Sequence, residues 1–313
     1  MPEGASLESM RQDVLAGLRG TPKRLSSKYF YDARGSKLFE QITRTPEYYL
    51  TRVECDLLRA SGAEIAAAVG PRAHVIEYGS GSGAKTRLLL RALDDAVAYT
   101  PVEISYSALA GSIGHLAAEF PGIEMLPLLG DFLQAQSPPS PRRTPARRLL
   151  FFPGSTIGNF KRAQAVALLR AMRAMLGPDG LALIGFDLVK DPEVILAAYN
   201  DAAGITAAFT LNLLARLNRE LGADFDLDAF AHRARYAVPE RRIETALVSL
   251  RPQRVQIGAE AFDFAADERV EVEISQKYDD PLISELATDA GLRVERGWND
   301  PRNWFGLRLL GAA

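Results

Sequence analysis

Apolar positions set the first expectations. Over residues 6–19, Leu7, Met10, Val14 and Leu18 recur at helical spacing and predict a short amphipathic helix. The stretch "SKYFYDARGSKLFEQITRTPEYYLTR" follows, dense in aromatic residues and turn formers, and "RVECDLLRASGAEIAAAV" resumes a helical period. From residue 74 short apolar runs alternate with helical segments. "HVIEY", "AVAYTPVEI", "GIEMLPLLG", "RRLLFF" and "GLALIGFDL" read as strands; "KTRLLLRAL", "SYSALAGSIGHLAAEF" and "AQAVALLRAMRAML" read as the helices among them. Strands apolar on both faces and joined by helices predict an α/β fold, a doubly wound parallel sheet.

After residue 189 the pattern changes. "DPEVILAAYNDA" and "ITAAFTLNLLARLNREL" are helical, the second with Ile205, Phe209, Leu213 and Leu217 as its apolar stripe. Alternating runs follow in "RRIETALVSL", "QRVQI" and "ERVEVEISQKY", before a helix "LISELATDAGL" and a last strand "NWFGLRLLGAA" complete the sheet. This predicts a nucleotide-type domain over 51–188 plus 279–313 and a smaller α+β substrate-binding domain over 1–50 plus 189–278. No internal repeat or coiled coil is visible.

Composition narrows the function classes. The chain has 313 residues, 47% hydrophobic and 24% charged, with net charge −2, so it lacks the basic excess of a polyanion binder. The arginines of "SPPSPRRTPARR" read as an isolated surface loop. No run approaches the roughly 20 apolar residues of a membrane span, and the N-terminus lacks the apolar core of a secretory signal. Cys55 is the single cysteine, and His74, His115 and His232 have no ligand spacing, so no metal site is expected. A cytoplasmic, metal-independent protein is the expectation, with no nucleic acid or membrane as partner.

The chemistry begins at "VIEYGSGSGAKT", where a strand breaks into Gly79, Gly81 and Gly83 before a helix, the usual ligand crevice of open α/β sheets. A phosphate-binding P-loop would need a glycine where Ala84 stands. A dinucleotide fingerprint is met formally by Gly79, Gly81 and Ala84, and the S-adenosylmethionine loop E-x-G-x-G by Glu77, Gly79 and Gly81. Glu103 ends the second strand, where an acid binds ribose hydroxyls of either cofactor. Asp131 and Phe132, in "GDF" after the third strand, suit an adenine amino group and ring, although Asp131 also suits a local cap. Acids after two successive strands favour the methyl donor.

The acceptor is read from the later strands. "FFPGSTIGNF" replaces the motif that holds a nucleobase amine, and offers small polar groups, with Asn159 suited either to a carboxylate or to a turn. In "VEVEISQKY", Val270, Val272 and Ile274 share one face and Glu271, Glu273 and Ser275 the other. A solvated second face would mean nothing. A face lining a pocket would let Glu273 and Ser275 hold a nitrogen-bearing ring.

"YDARGSKLFEQITRTPEYYLTR", "IEYGSGSGAKTRLLL", "GDF", "FFPGSTIGNF", "DLVKD" and "EISQKY" together resemble the L-histidine Nα-methyltransferases of ergothioneine biosynthesis, from about Ser27 to the C-terminus. The resemblance implies a Rossmann-like class I methyltransferase domain and three methyl transfers from S-adenosylmethionine to the α-nitrogen of histidine, giving hercynine. Carried over by position, it implies donor binding by Gly79, Gly81, Lys85, Glu103, Asp131 and Phe132. Gly154, Asn159 and Tyr199 would hold the amino-acid end of the substrate, Glu273 and Ser275 the imidazole. Tyr48 would sit beside the α-amino group, with Tyr31 assisting. Core packing is the competing reading for the three tyrosines.

Two positions depart from the pattern. Glu103 stands where members often have aspartate, and Thr245 where histidine-specific members commonly have a methionine near the imidazole. The second change widens the choice to a different amino acid. Outside the class, a nicotinamide-dependent oxidoreductase and a non-catalytic binder of the donor remain as alternatives. A monomer is expected.

Overall fold

The computed structural model describes the backbone of residues 3–81, 83–103, 106–133 and 137–313; the side chains of residues 3–6, 106–108 and 110–112 lie outside that description. Ser82 of the glycine loop lies outside it too, as do Ile104 and Ser105, where the second strand and the helix after it were expected to meet.

Along the chain, the helices are α1 (Glu3–Arg19), α2 (Ala33–Ile42), α3 (Leu50–Val69), α4 (Ala84–Ala92), α5 (Tyr106–Glu119), α6 (Arg162–Leu176), α7 (Pro192–Ala197), α8 (Ile205–Leu221) and α9 (Asp280–Asp289). The strands are β1 (Ala73–Tyr78), β2 (Ala98–Glu103), β3 (Glu124–Met125), β4 (Leu128–Leu129), β5 (Arg147–Phe152), β6 (Leu181–Asp187), β7 (Phe230–Ala237), β8 (Arg242–Ser249), β9 (Gln253–Ile257), β10 (Glu260–Phe264), β11 (Arg269–Gln276), β12 (Leu292–Asn299) and β13 (Phe305–Ala312). Contacts divide them into two compact units, Met1–Tyr48 with Asp191–Ser275 and Tyr49–Lys190 with Gln276–Ala313. The boundaries stand two or three residues from those expected from the sequence.

The larger unit is built on one sheet in the order β12-β13-β6-β5-β1-β2-β3, with β4 also paired to β2. β1 pairs in parallel with β2 and β5, and β5 with β6. Every residue of β1 and β6 is buried, as strands covered on both faces require. Three local expectations are corrected. The run "GIEMLPLLG" is two short strands, because Pro127 has no N–H to give to a ladder. The last strand, β13, runs antiparallel to β6, so the sheet is mostly and not wholly parallel. Its other neighbour, β12, was not foreseen. "LRVERGWN" is charged and bulged between Val294 and Arg296, the composition of a strand at a sheet edge.

The smaller unit packs α1 and α8 with a three-stranded sheet, β11-β8-β7, and the hairpin β9–β10. Met10, Val14 and Leu18 of α1 are buried, while Leu7, on the same face but nearer the start of the helix, is 40% exposed. Phe209, Leu213 and Leu217 of α8 are buried as the periodicity predicts. Asp201 fixes the start of α8 by accepting from the N–H groups of Ile205 and Thr206 at 2.8 and 2.7 Å. The strands β7 and β10 were missed; "FAHRARYA" hides its alternation behind two arginines.

Candidate active site

The residues singled out from the sequence divide between the units. In the larger one, the Gly79 N–H donates to Val102 O at 3.1 Å and the Gly130 N–H to Glu103 O at 3.0 Å. These bonds bring the ends of β1 and β2 and the "GDF" loop to one edge of the sheet, at the carboxyl ends of its parallel strands. Gly79 has φ +76°, and a Cβ there would meet nothing within 4 Å, so the loop is bare backbone facing open space. Glu103 is half-buried at the end of β2. Asp131 accepts from the Leu133 N–H at 2.9 Å, so one carboxylate oxygen takes part in a local turn, the competing role seen in the sequence. The Phe132 ring stacks on Tyr78, with centroids 5.2 Å apart and planes 15° apart.

Lys85, on the first turn of α4, pairs with Glu54 at 2.5 Å. Gly154 follows β5 and gives its N–H to the same carboxylate. Ser155, next to it, has φ 57°, a left-handed conformation uncommon for a side-chain-bearing residue. Its Oγ accepts from the Asp187 N–H at 2.9 Å, which ties the turn to the end of β6. Asn159 closes a 3-10 turn over Thr156–Asn159 and is half-buried.

In the smaller unit, the Tyr199 hydroxyl donates to Ser275 Oγ at 2.7 Å, and both residues are buried. The face of β11 that carries Ser275 changes character along its length. Glu271 is exposed and paired with Arg24, Glu273 is half-buried, and Ser275 is 3% exposed. Thr245, opposite Ala234 in the β7–β8 ladder, is buried, and its Oγ1 has no hydrogen-bond partner. Tyr31 and Tyr48 both set their rings edge-on to Phe39, at 5.6 and 6.1 Å. Tyr31 is 36% exposed and Tyr48 half-buried, so neither ring is wholly committed to the core.

Glu54 and Asp187 were not singled out from the sequence, and Glu77 was named only as part of the glycine loop, without its burial. Glu54 falls on the same stripe of α3 as Leu58, Ser61 and Ile65, all buried. A glutamate at that helical spacing was the available signal. Glu77, fully buried in β1, accepts from Thr86 Oγ1 at 2.7 Å and the Tyr99 hydroxyl at 2.6 Å. Burial pushes its carboxyl up to about 7, against the pull of those two donors. Asp187, at the end of β6, holds Lys277 at 2.8 Å, Lys190 at 2.5 Å and the Tyr49 hydroxyl at 2.8 and 2.9 Å. Burial opposes ionisation of Asp187, but the two ammonium groups outweigh it and hold its pKa below the usual value.

The model of the histidine-specific, S-adenosylmethionine-dependent methyltransferases matches residues 10–312. The chain belongs to that family. It is 45% identical to a histidine N-alpha-methyltransferase of Mycolicibacterium smegmatis, over 97% of this chain and 95% of that protein. It is 42% identical to the histidine N-alpha-methyltransferase of Mycobacterium tuberculosis, over 98% and 96%. A crystal structure of an S-adenosylmethionine-dependent methyltransferase from Clostridium acetobutylicum shares the fold at TM-score 0.51 and 11% identity, over 88% of this chain and 98% of that one.

Family membership bears out the choice of a methyl donor over a nicotinamide and sets the oxidoreductase alternative aside. The residues at the sheet edge fit that donor. A bare glycine turn opens on space that a side chain would fill, and acids and an aromatic ring stand at the ends of adjacent strands. Among the described residues, no group of three His, Cys, Asp or Glu side chains is placed to hold a metal, and no helix is long and apolar enough to cross a membrane.

Proposed function

We propose that this chain transfers methyl groups from S-adenosylmethionine to the α-amino nitrogen of L-histidine, three in succession, giving hercynine for ergothioneine biosynthesis. The match of residues 10–312 to the histidine-specific family carries the reading. The sulfonium donor supplies an already activated methyl. Gly79 and Gly81 let the donor lie against backbone, Glu103 takes its ribose hydroxyls, and Asp131 and Phe132 take its adenine. Lys85 meets the carboxylate of its methionine end.

On the acceptor side, Gly154, Asn159 and Tyr199 hold the histidine carboxylate end. Glu273 and Ser275 hold the imidazole, a carboxylate accepting from one ring N–H and a hydroxyl completing the second contact. The buried Tyr199–Ser275 bond supports this by fixing both groups before substrate arrives. An ammonium cannot attack, so each transfer needs a neutral amine held in line with the methyl. The ammonium proton leaves to water through the hydroxyls of Tyr48 and Tyr31, which relay it by accepting from the amine and donating onward. The same rings accommodate the growing alkylammonium, since aromatic faces attract such cations.

One observation favours a second reading, in which a different amino acid is the acceptor. The buried, unpartnered hydroxyl of Thr245 stands where family members commonly carry methionine, and a polar ligand group would satisfy it. Incubating the purified protein with donor and a panel of amino acids, and following the stepwise mass gain of each, separates the readings. Methylation of histidine alone supports the first; preference for another amino acid supports the second; binding of donor with no transfer to any of them would leave a non-catalytic binder. A monomer acting in the cytoplasm on a small amino acid completes the proposal, and sedimentation and cell fractionation test those parts.

A further inference from the structure

The Glu54 carboxylate has no solvent exposure, and Lys85 beside it keeps 19%. Its two oxygens accept from the Gly154 N–H at 3.0 and 2.9 Å, and Oε2 pairs with Lys85 Nζ at 2.5 Å. The surrounding backbone is shaped to it. A Cβ on Gly185 of β6 would come within 2.6 Å of Glu54 Oε1, so that strand is bare where the carboxylate rests. A Cβ on Gly154 would stand 3.3 Å from Lys85 Nζ. Three elements, α3, the first turn of α4 and the turn after β5, thus meet at one ion pair.

A buried carboxylate is strongly unfavourable unless paired and hydrogen-bonded, and this one is both. An ammonium on a flexible four-carbon stem, by contrast, gains most by reaching water. Without Glu54, the Lys85 ammonium would lose the ion pair that holds it beside the Gly154 turn and keep only the longer-range attraction of the buried Glu77. We infer that Glu54 is a positioning residue, which holds the Lys85 ammonium ready for the carboxylate of the donor and fixes the Gly154 turn at the same time. The inference rests on the proposal that Lys85 binds that carboxylate. It adds that the cation is preorganised, so that its side chain is not ordered anew when the donor binds.

Two ligands separate this role from a merely structural one. S-adenosylhomocysteine carries the amino-acid end; 5′-methylthioadenosine has the same thioether nucleoside without it. Calorimetric titration of Glu54→Gln should show affinity for S-adenosylhomocysteine reduced about tenfold, with methylthioadenosine changed less than about twofold. In a Lys85→Met background, Glu54→Gln should add less than about twofold, because the residue it acts through is gone. Equal weakening of both ligands, an unchanged or tighter S-adenosylhomocysteine complex, or a full effect without Lys85 would overturn the inference. If Lys85→Met itself weakens both ligands equally or neither, the assignment of Lys85 fails and takes this inference with it. Should Glu54→Gln not fold, Glu54→Asp is read in the same way, since it keeps the charge and shortens the reach.

Discussion

Replacing Asp187 with asparagine tests the buried charge at the end of β6. The carboxylate faces two ammonium groups and one phenol, and Asp187 and Lys277 have no side-chain exposure while Lys190 keeps 4%. At about 3 Å and an effective dielectric near 20, each ion pair is worth roughly 5 kcal/mol of Coulomb attraction, much of it offset by desolvation. Removing the charge leaves two cations buried together. Lys190 retains the Leu188 carbonyl at 2.6 Å and the Tyr49 hydroxyl at 2.8 Å, which softens the loss without neutralising it. The expected cost is about 3–5 kcal/mol at neutral pH, the range for breaking a buried pair. Both tryptophans, Trp298 and Trp304, belong to the larger unit, so their fluorescence during urea unfolding reports on that unit. The deficit should also shrink with pH. An unpaired buried lysine has a folded-state pKa below its unfolded value, so the unfolded chain binds more protons and stability rises toward about pH 10. A loss under about 1 kcal/mol, or one as large at about pH 9.5 as at pH 7, would refute the reasoning.

Three further outcomes are expected. Glu77 has a folded-state pKa near 7, above the usual carboxyl value, so its contribution is full below about pH 4.5 and is lost as pH rises through 7. Glu77→Gln should therefore gain stability relative to the parent between about pH 5 and pH 8, read from urea midpoints, and a pH-independent difference would count against it. Thr245→Val removes a buried hydroxyl without a partner at nearly constant volume, and should raise stability by about 1 kcal/mol in thermal unfolding. A loss of that size would mean the hydroxyl is satisfied. Tyr48→Phe should slow methylation, resolved step by step from the mono-, di- and trimethylated products, and unchanged rates at every step would remove Tyr48 from the mechanism.

The sheet strands and the glycine loop were legible because their signals are local. "HVIEY" followed by "GSGSG" is a strand meeting a bare turn, and Glu103 and Asp131 fall at predictable strand ends. Charges buried by tertiary contacts were not legible as pairs. Glu54 and Lys85 are 31 positions apart, and Asp187 and Lys277 are 90 apart, so no local period couples either pair. The edge strand β12 escaped for a different reason: its outward charges serve to block further pairing, and they mask the alternation by which strands are recognised. On β11 the expected polar face exists, but burial increases along it, so a simple choice between solvated and pocket-lining was too coarse.

Which nitrogen receives the methyl decides the proposed function. Reaction of L-histidine with a donor bearing a ¹³C-labelled methyl, followed by tandem mass spectrometry and carbon NMR of the product, locates it directly. The expected product carries three equivalent labelled methyls on the α-nitrogen and an unmodified imidazole. Label on a ring nitrogen, or none on histidine while another amino acid is methylated, would contradict it.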